Sequence, residues 1–328
     1  MGFPRKSYSN QTAPRDNYQE VTDRIIAALE AGVVPWRRAW NPALAGQNTM
    51  PSNATTGRFY RGINVLMLAL SPYAWSTGDN RWCSYKQAAE RGWQVRKGER
   101  GTTVFFFKKL ERKDGEGAPE LAGDGTQRFI PMLRASTVFH ATQMDGIPAA
   151  GTAELHEVDW HRPEAVDTIL RNSGVTVRTG GSQAFYSPSS DHIQLPPHEA
   201  FESAEAWAAT ALHELAHASG HEARLDRDLS GTFGTARYAE EELRAEISSC
   251  FMGNTLGLPT DIPNHASYIA DWLGKLRHDK REIFRAATAA QRIADYCLGF
   301  HPDFRSHQPA EEVADQEERA ERPERLAA

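Results

Sequence analysis

The chain of 328 residues has only three cysteines, Cys83, Cys250 and Cys297, far apart and odd in number. That excludes a disulfide framework and argues against a cysteine-based zinc site; a reducing cytoplasm is the expected setting. Long apolar runs are missing too. None approaches ~18 residues, so neither a membrane-spanning helix nor a membrane partner is expected. The opening stretch, Met1 to Asp16, is polar and lacks the apolar segment of a secretory signal. No internal repeat and no phosphate-binding glycine loop occurs.

What is present is ordinary in amount and uneven in place. Forty per cent hydrophobic and 24% charged residues suit a soluble protein, and the length suits two domains with a core each. Residues 1–150 hold 20 Lys and Arg against 13 Asp and Glu, whereas residues 151–328 hold 17 against 30. A net charge of −6 therefore hides a basic first half, a composition suited to a polyanion.

The chain is organised around His213-Glu214-Leu215-Ala216-His217. The surrounding segment has the apolar period and alanine content of a helix, with Ser203 as its N-cap and Gly220 as its stop. On a helix, His213 and His217 lie one turn apart on one face. Two imidazole nitrogens can then reach one Zn²⁺, while Glu214 is placed to accept a proton from a water that the metal activates. Trp207, Ala208, Ala211, Leu212, Leu215 and Ala216 would bury the rest of the helix. A solvated helix carrying two chance histidines is the bland alternative.

A third ligand is expected from the helix that opens at Tyr238 and stops at Gly253, with Leu243, Ile247, Cys250 and Phe251 as its apolar stripe. Glu242 and Glu246 share a face there. The segment Glu242-Leu-Arg-Ala-Glu246 resembles the E-x-x-A-D helix of gluzincin peptidases. That resemblance makes Glu242 the ligand and Glu246 the carboxylate that orients a zinc histidine, with the reverse assignment open because Glu is one methylene longer than Asp. His221 lies eight residues after His213, short of the ten that the metzincin pattern needs, and reads as a surface or orienting histidine. Tyr186 and Tyr238 are tyrosines that could serve an oxyanion or simply pack.

In the first half, Asp16 to Gly32 reads as an amphipathic helix and Val65 to Leu70 as the apolar run of another. A helix is expected to open at Ser84, and two strands near Val104 to Phe107 and Phe129 to His140. Basic and aromatic residues interleave at Trp36, Arg37, Arg38 and Trp40, at Arg58, Tyr60 and Arg61, and at Lys86, Arg96, Lys97 and Arg100. Such clusters supply phosphate contacts and stacking platforms for single-stranded nucleic acid. Core packing is the competing use of the aromatics, and Trp82 and Trp93 are assigned to it.

Three stretches carry a wider resemblance: Thr22-DRIIAALEAGVVPWRRAW, Asn53-ATTGRFYRGINVLMLAL and Tyr85-KQAAERGWQVRKGERGTTVFFFKK. They resemble the N-terminal domain of ArdC-type antirestriction proteins of conjugative plasmids and mobile elements. Phe185-YSPSSDHIQLPP, the His213–His217 helix and the Tyr238 helix are similar to the zincin-like metallopeptidase domain that follows it. The resemblance implies an α+β chain in two domains: a flexible arm over 1–17, a small mixed α/β single-stranded-DNA-binding domain over 18–150, and a mainly helical metallopeptidase domain with a small sheet over 151–305. A disordered charged tail is expected over 306–328. It further implies a zinc-dependent peptidase, with Zn²⁺ or another divalent ion such as Mn²⁺, that protects incoming DNA from host restriction. Its partners would be single-stranded DNA and a host restriction or nucleoprotein component. The alternative is a non-catalytic shield on single-stranded DNA, with a structural metal.

Overall fold

A computed structural model describes residues 16–36, 49–74, 77–113, 115, 118–121, 123, 125–150, 162–232, 234–258 and 269–307. Most of the expected arm and tail lies outside these residues. Helix α1 (Asn17–Glu30) begins where the Asp16 carboxylate accepts from the Tyr18 and Gln19 N–H groups, and it buries Val21, Ile25 and Leu29 on one face. The buried helix α2 (Ile63–Ala69) lies against a four-stranded sheet. That sheet, in spatial order, is β1 (Ser52–Asn53), β2 (Arg81–Ser84), β5 (Phe129–His140) and β4 (Thr102–Glu111). The β4–β5 pair is antiparallel, from Thr102 opposite Val138 to Glu111 opposite Phe129. Asn64 fastens α2 to it: its amide donates to the Phe105 carbonyl (2.8 Å) and accepts from the Phe105 N–H (2.7 Å). Ser84 and Gln87 form a capping box for α3 (Tyr85–Glu90). A second small sheet pairs β3 (Gln94–Val95) with β6 (Met144–Asp145).

The second half opens with α4 (Arg162–Ser173) and a three-stranded sheet of β7 (Thr176–Thr179), β9 (His192–Leu195) and β8 (Phe185–Ser187), in that spatial order. Four helices follow: α5 (Ala204–Ala218), α6 (Ala236–Leu256), α7 (Ile269–His278) and α8 (Glu282–Leu298). The expected stop at Gly253 is corrected, because α6 continues one further turn. A glycine inside a helix costs only about 1 kcal/mol, and here Phe251, Met252 and Leu256 bury apolar surface on either side of it. The helix ends instead at Gly257, whose φ of 67° supplies the left-handed cap.

The two halves share one core. A single buried cluster takes Val21, Ile25, Trp36 and Leu66 from the first and Leu212, Phe251, Trp272, Ile283 and Ile293 from the second. Trp36 meets Trp272 edge-on at 5.5 Å between ring centres. Thr22 Oγ1 donates to the Lys280 carbonyl (2.8 Å), and the Thr49 N–H donates to the Asn254 carbonyl (3.0 Å). Helices α7 and α8 thus pack not only on α6 but also on α1 and α2. Among the described residues, no helix is long and apolar enough to cross a membrane.

Candidate metal centre and nucleic-acid surface

Helix α5 starts at Ser203, whose hydroxyl accepts from the Ala206 N–H (3.1 Å). Its alanines and leucines bury almost every side, which carries His213, only 4% exposed, and Glu214 into the interior with them. The Nε2 atoms of His213 and His217 stand 3.1 Å apart. From α6 comes Glu242, also 4% exposed, with Oε2 3.6 Å from His213 Nε2 and Oε1 3.4 Å from His217 Nε2. One donor atom from each of the three lies within 4.8 Å of the others.

Two neutral imidazole nitrogens at this separation would face each other lone pair to lone pair, so the arrangement asks for a cation or a proton between them. Two imidazoles and a carboxylate are also the donor set that a Zn²⁺ ion with one open position accepts. The residues present therefore fit a divalent metal. Without metal, a proton takes the ion's place. Burial works against charge on Glu242, yet hydrogen bonds from His213 and His217 hold its carboxyl far below the usual range. Burial would likewise lower His217, but its bonds to Glu241 and Glu242 raise it well above an ordinary imidazole.

Sequence reasoning gave Glu241 no role. Glu241 is buried, and its Oε1 lies 3.3 Å from His217 Nδ1. Glu246, the carboxylate expected to orient a histidine, is buried one turn along α6 and outside the three-residue group. His221 is also outside that group, 4.0 Å from Asp191. Tyr186 donates its hydroxyl to Asp191 Oδ1 (2.8 Å), and Arg224 binds the same carboxylate. The signal for Glu241 was its neighbour: beside a buried carboxylate on a helix surrounded by other elements, an adjacent acid is also turned inward.

The proposed nucleic-acid residues divide. Arg37, Arg38 and Trp40 lie outside the described residues. Trp36 (2% exposed) and Tyr60 (7% exposed) are corrections to the expected stacking platforms: the shared core covers Trp36, and a separate first-half cluster of Leu68, Trp82, Val104 and Val138 covers Tyr60. Arg61 is half-buried and paired with Asp295 of α8. Arg58, Lys86, Arg96, Lys97 and Arg100 are exposed. Lys86 lies 3.9 Å from Glu90, and Arg96 pairs with Glu99 (3.0 Å) and Asp145 (3.4 Å). An exposed aromatic does stand among them, one that sequence reading passed over: Tyr85, 54% exposed, at the start of α3 beside Lys86.

Two family models match the chain: the N-terminal domain of anti-restriction factor ArdC over residues 15–139, and a zincin-like metallopeptidase over residues 164–289. A DNA primase TraC of Escherichia coli is 42% identical over 294 residues, which is 86% of this chain but 27% of that protein. The chain thus spans about a quarter of that relative. An uncharacterized protein of Sinorhizobium fredii, y4eC, is 41% identical, covering 86% of this chain and 92% of its own length. Among solved structures, the metal-free antirestriction protein ArdC of plasmid R388 is 40% identical, with a TM-score of 0.73 over 90% of this chain and all of that one. Its Mn(II)-bound form is similar at 39% identity and a TM-score of 0.71, over 88% of this chain and all of that one. From paired family matches, near-complete coverage of a 40%-identical structure and the shared order of both halves, it follows that this chain belongs to the ArdC antirestriction family.

Proposed function

We infer that this chain is a DNA-targeted metallopeptidase: it binds a divalent ion, Zn²⁺ or Mn²⁺, through His213, His217 and Glu242, and hydrolyses a peptide bond near single-stranded DNA held by its basic half. The outcome is protection of incoming plasmid DNA from restriction in the recipient cytoplasm. The observation that carries this reading is the meeting of one nitrogen from buried His213, one from partly buried His217 and one buried carboxylate beside Glu214. When bound, the metal supplies Lewis acidity, polarising a carbonyl and acidifying water. Glu214 accepts the proton of the attacking water and returns it to the leaving amine. Burial around it keeps bulk water from competing for that proton. The Mn(II)-bound R388 relative supports the choice of a divalent ion.

On the DNA side, Arg58, Lys86, Lys97 and Arg100 contact phosphates, joined by Arg37 and Arg38, and Tyr85 offers a ring to a base. A second reading, a shield whose metal is structural, is favoured by one observation: the metal helix is built into the core that also completes the first half. Glu214→Gln separates the two. Under the peptidase reading it retains metal and single-strand binding, loses restriction protection in cells, and lowers any peptidase rate ~10²–10⁴-fold. Protection retained in the variant assigns the chain to the shield. Arg37→Glu with Arg38→Glu weakens single-strand binding and flattens its salt dependence, measured by fluorescence anisotropy across salt concentrations; unchanged binding removes these two residues from the DNA surface.

A further inference from the structure

Beyond the three metal-facing side chains, a buried set of polar groups joins the ends of α5 and α6. Arg227 lies in the loop after α5. Its Nη2 donates to Glu241 Oε1 (2.6 Å), and its Nε donates to Oε2 (3.2 Å). Its remaining donors turn the other way: Nη1 to Ser219 Oγ (2.7 Å) and Nη2 to the Ala216 carbonyl (2.7 Å). Ser219 donates to that same carbonyl (2.6 Å). Arg227 therefore satisfies a terminal carbonyl of α5, which has no helical partner, while gripping the acid that touches His217. Both side chains are about nine-tenths buried. Gly220 is shaped around this arginine, since a Cβ there would stand 2.9 Å from Arg227 Nη2 and 2.9 Å from Leu229 Cδ2. A buried Glu241 without Arg227 would be an uncompensated charge, and a Glu241 free to turn would release His217.

We propose that Arg227 and Glu241 are a positioning pair: Arg227 holds the Glu241 carboxylate, which accepts the hydrogen bond of His217 Nδ1–H and so fixes the ring with Nε2 presented to the metal. The proposal rests on the metal-binding reading given above and adds two residues to it. Neither touches the metal position; both act through His217. Outer carboxylates of this kind change metal affinity about 10–100-fold when removed. The pair has a further signature. Because both residues act through one ring, their effects are not additive, so the double substitution weakens binding no more than Glu241→Ala alone.

The test uses the full chain, stripped of metal and titrated with Mn(II) by calorimetry and with Co(II) by visible absorption, which reports the ligand field directly. Wild type is expected to bind one ion. Glu241→Ala and Arg227→Ala are expected to bind one ion about 10–100-fold more weakly, with a shifted Co(II) spectrum and a non-additive double variant. Should either alanine variant fail to fold, Glu241→Gln and Arg227→Lys keep size and are expected to weaken binding several-fold, with Lys milder than Ala. Wild-type affinity and an unshifted Co(II) spectrum in folded variants, with His217→Ala unable to bind, overturn the pair alone. A wild-type chain that binds no ion, or a His217→Ala chain that binds normally, overturns the metal reading and the pair with it.

Discussion

A histidine held between two carboxylates has a preference for its proton, and a metal must displace it. Without metal, Glu241 and Glu242 raise His217 well above the ordinary imidazole range, while Glu242 is held well below the carboxylate range. The signs follow. A raised His217 stabilises the metal-free fold below about pH 6.5, and this contribution is lost as pH rises through its folded value. A depressed Glu242 stabilises it above about pH 4.3, and this is lost as pH falls through its folded value. Metal uptake should therefore release a proton and weaken as pH falls, which calorimetry in two buffers of different ionisation enthalpy would detect. His217→Ala should abolish stoichiometric metal by elemental analysis, whereas His221→Ala should leave it intact. The cysteines behave oppositely to a reactive site: burial pushes Cys83 up to about 11 and Cys297 up to about 12. Neither should be alkylated at pH 8 until the chain is unfolded, and rapid labelling of the native protein would contradict their burial.

At the scale of elements, single side chains stand in for backbone. Asn64 pairs with both the N–H and C=O of Phe105, as a neighbouring strand would. Asn64→Ala should cost about 2–3 kcal/mol in urea unfolding, because it leaves buried backbone groups unpartnered. Such a role gives no signal in sequence, where Asn64 reads only as the polar residue opening an apolar run. The elements themselves were legible: Asp16, Ser84 and Ser203 are residues of the capping type, a period of 3.6 marks α1 and α5, and the apolar run Val104 to Phe107 marks β4. The H-E-x-x-H spacing also revealed which residues of α5 would meet on one face. What sequence could not resolve was α6, whose buried surface wraps nearly all round, so that Glu241 and Glu242 both face inward. The same limit applied to Trp36 and Tyr60. Basic neighbours suggested open rings, but the groups that cover Trp36 arrive more than 200 residues later.

Taken whole, the molecule has no clean division between its halves. Residues 16–150 alone would expose Val21, Ile25, Trp36 and Leu66, which the full chain covers with α6, α7 and α8. That fragment is expected to lack a cooperative thermal transition and to give collapsed amide proton dispersion; a sharp melt at a temperature near that of the intact chain would show a self-sufficient first half. Loading the intact chain with metal should in turn raise the stability of both halves together.

The contact of Trp36 with Trp272 has a consequence for inheritance. A recombination event that joined the first half of one relative to the second half of another would have to bring matching tryptophan pockets, or leave a hole in the core that the joined halves share. Shuffling should therefore favour breakpoints outside the whole unit. The TraC relative, in which both halves occur together within a protein almost four times as long as the matched stretch, has the form that such transfer as an indivisible cassette would leave.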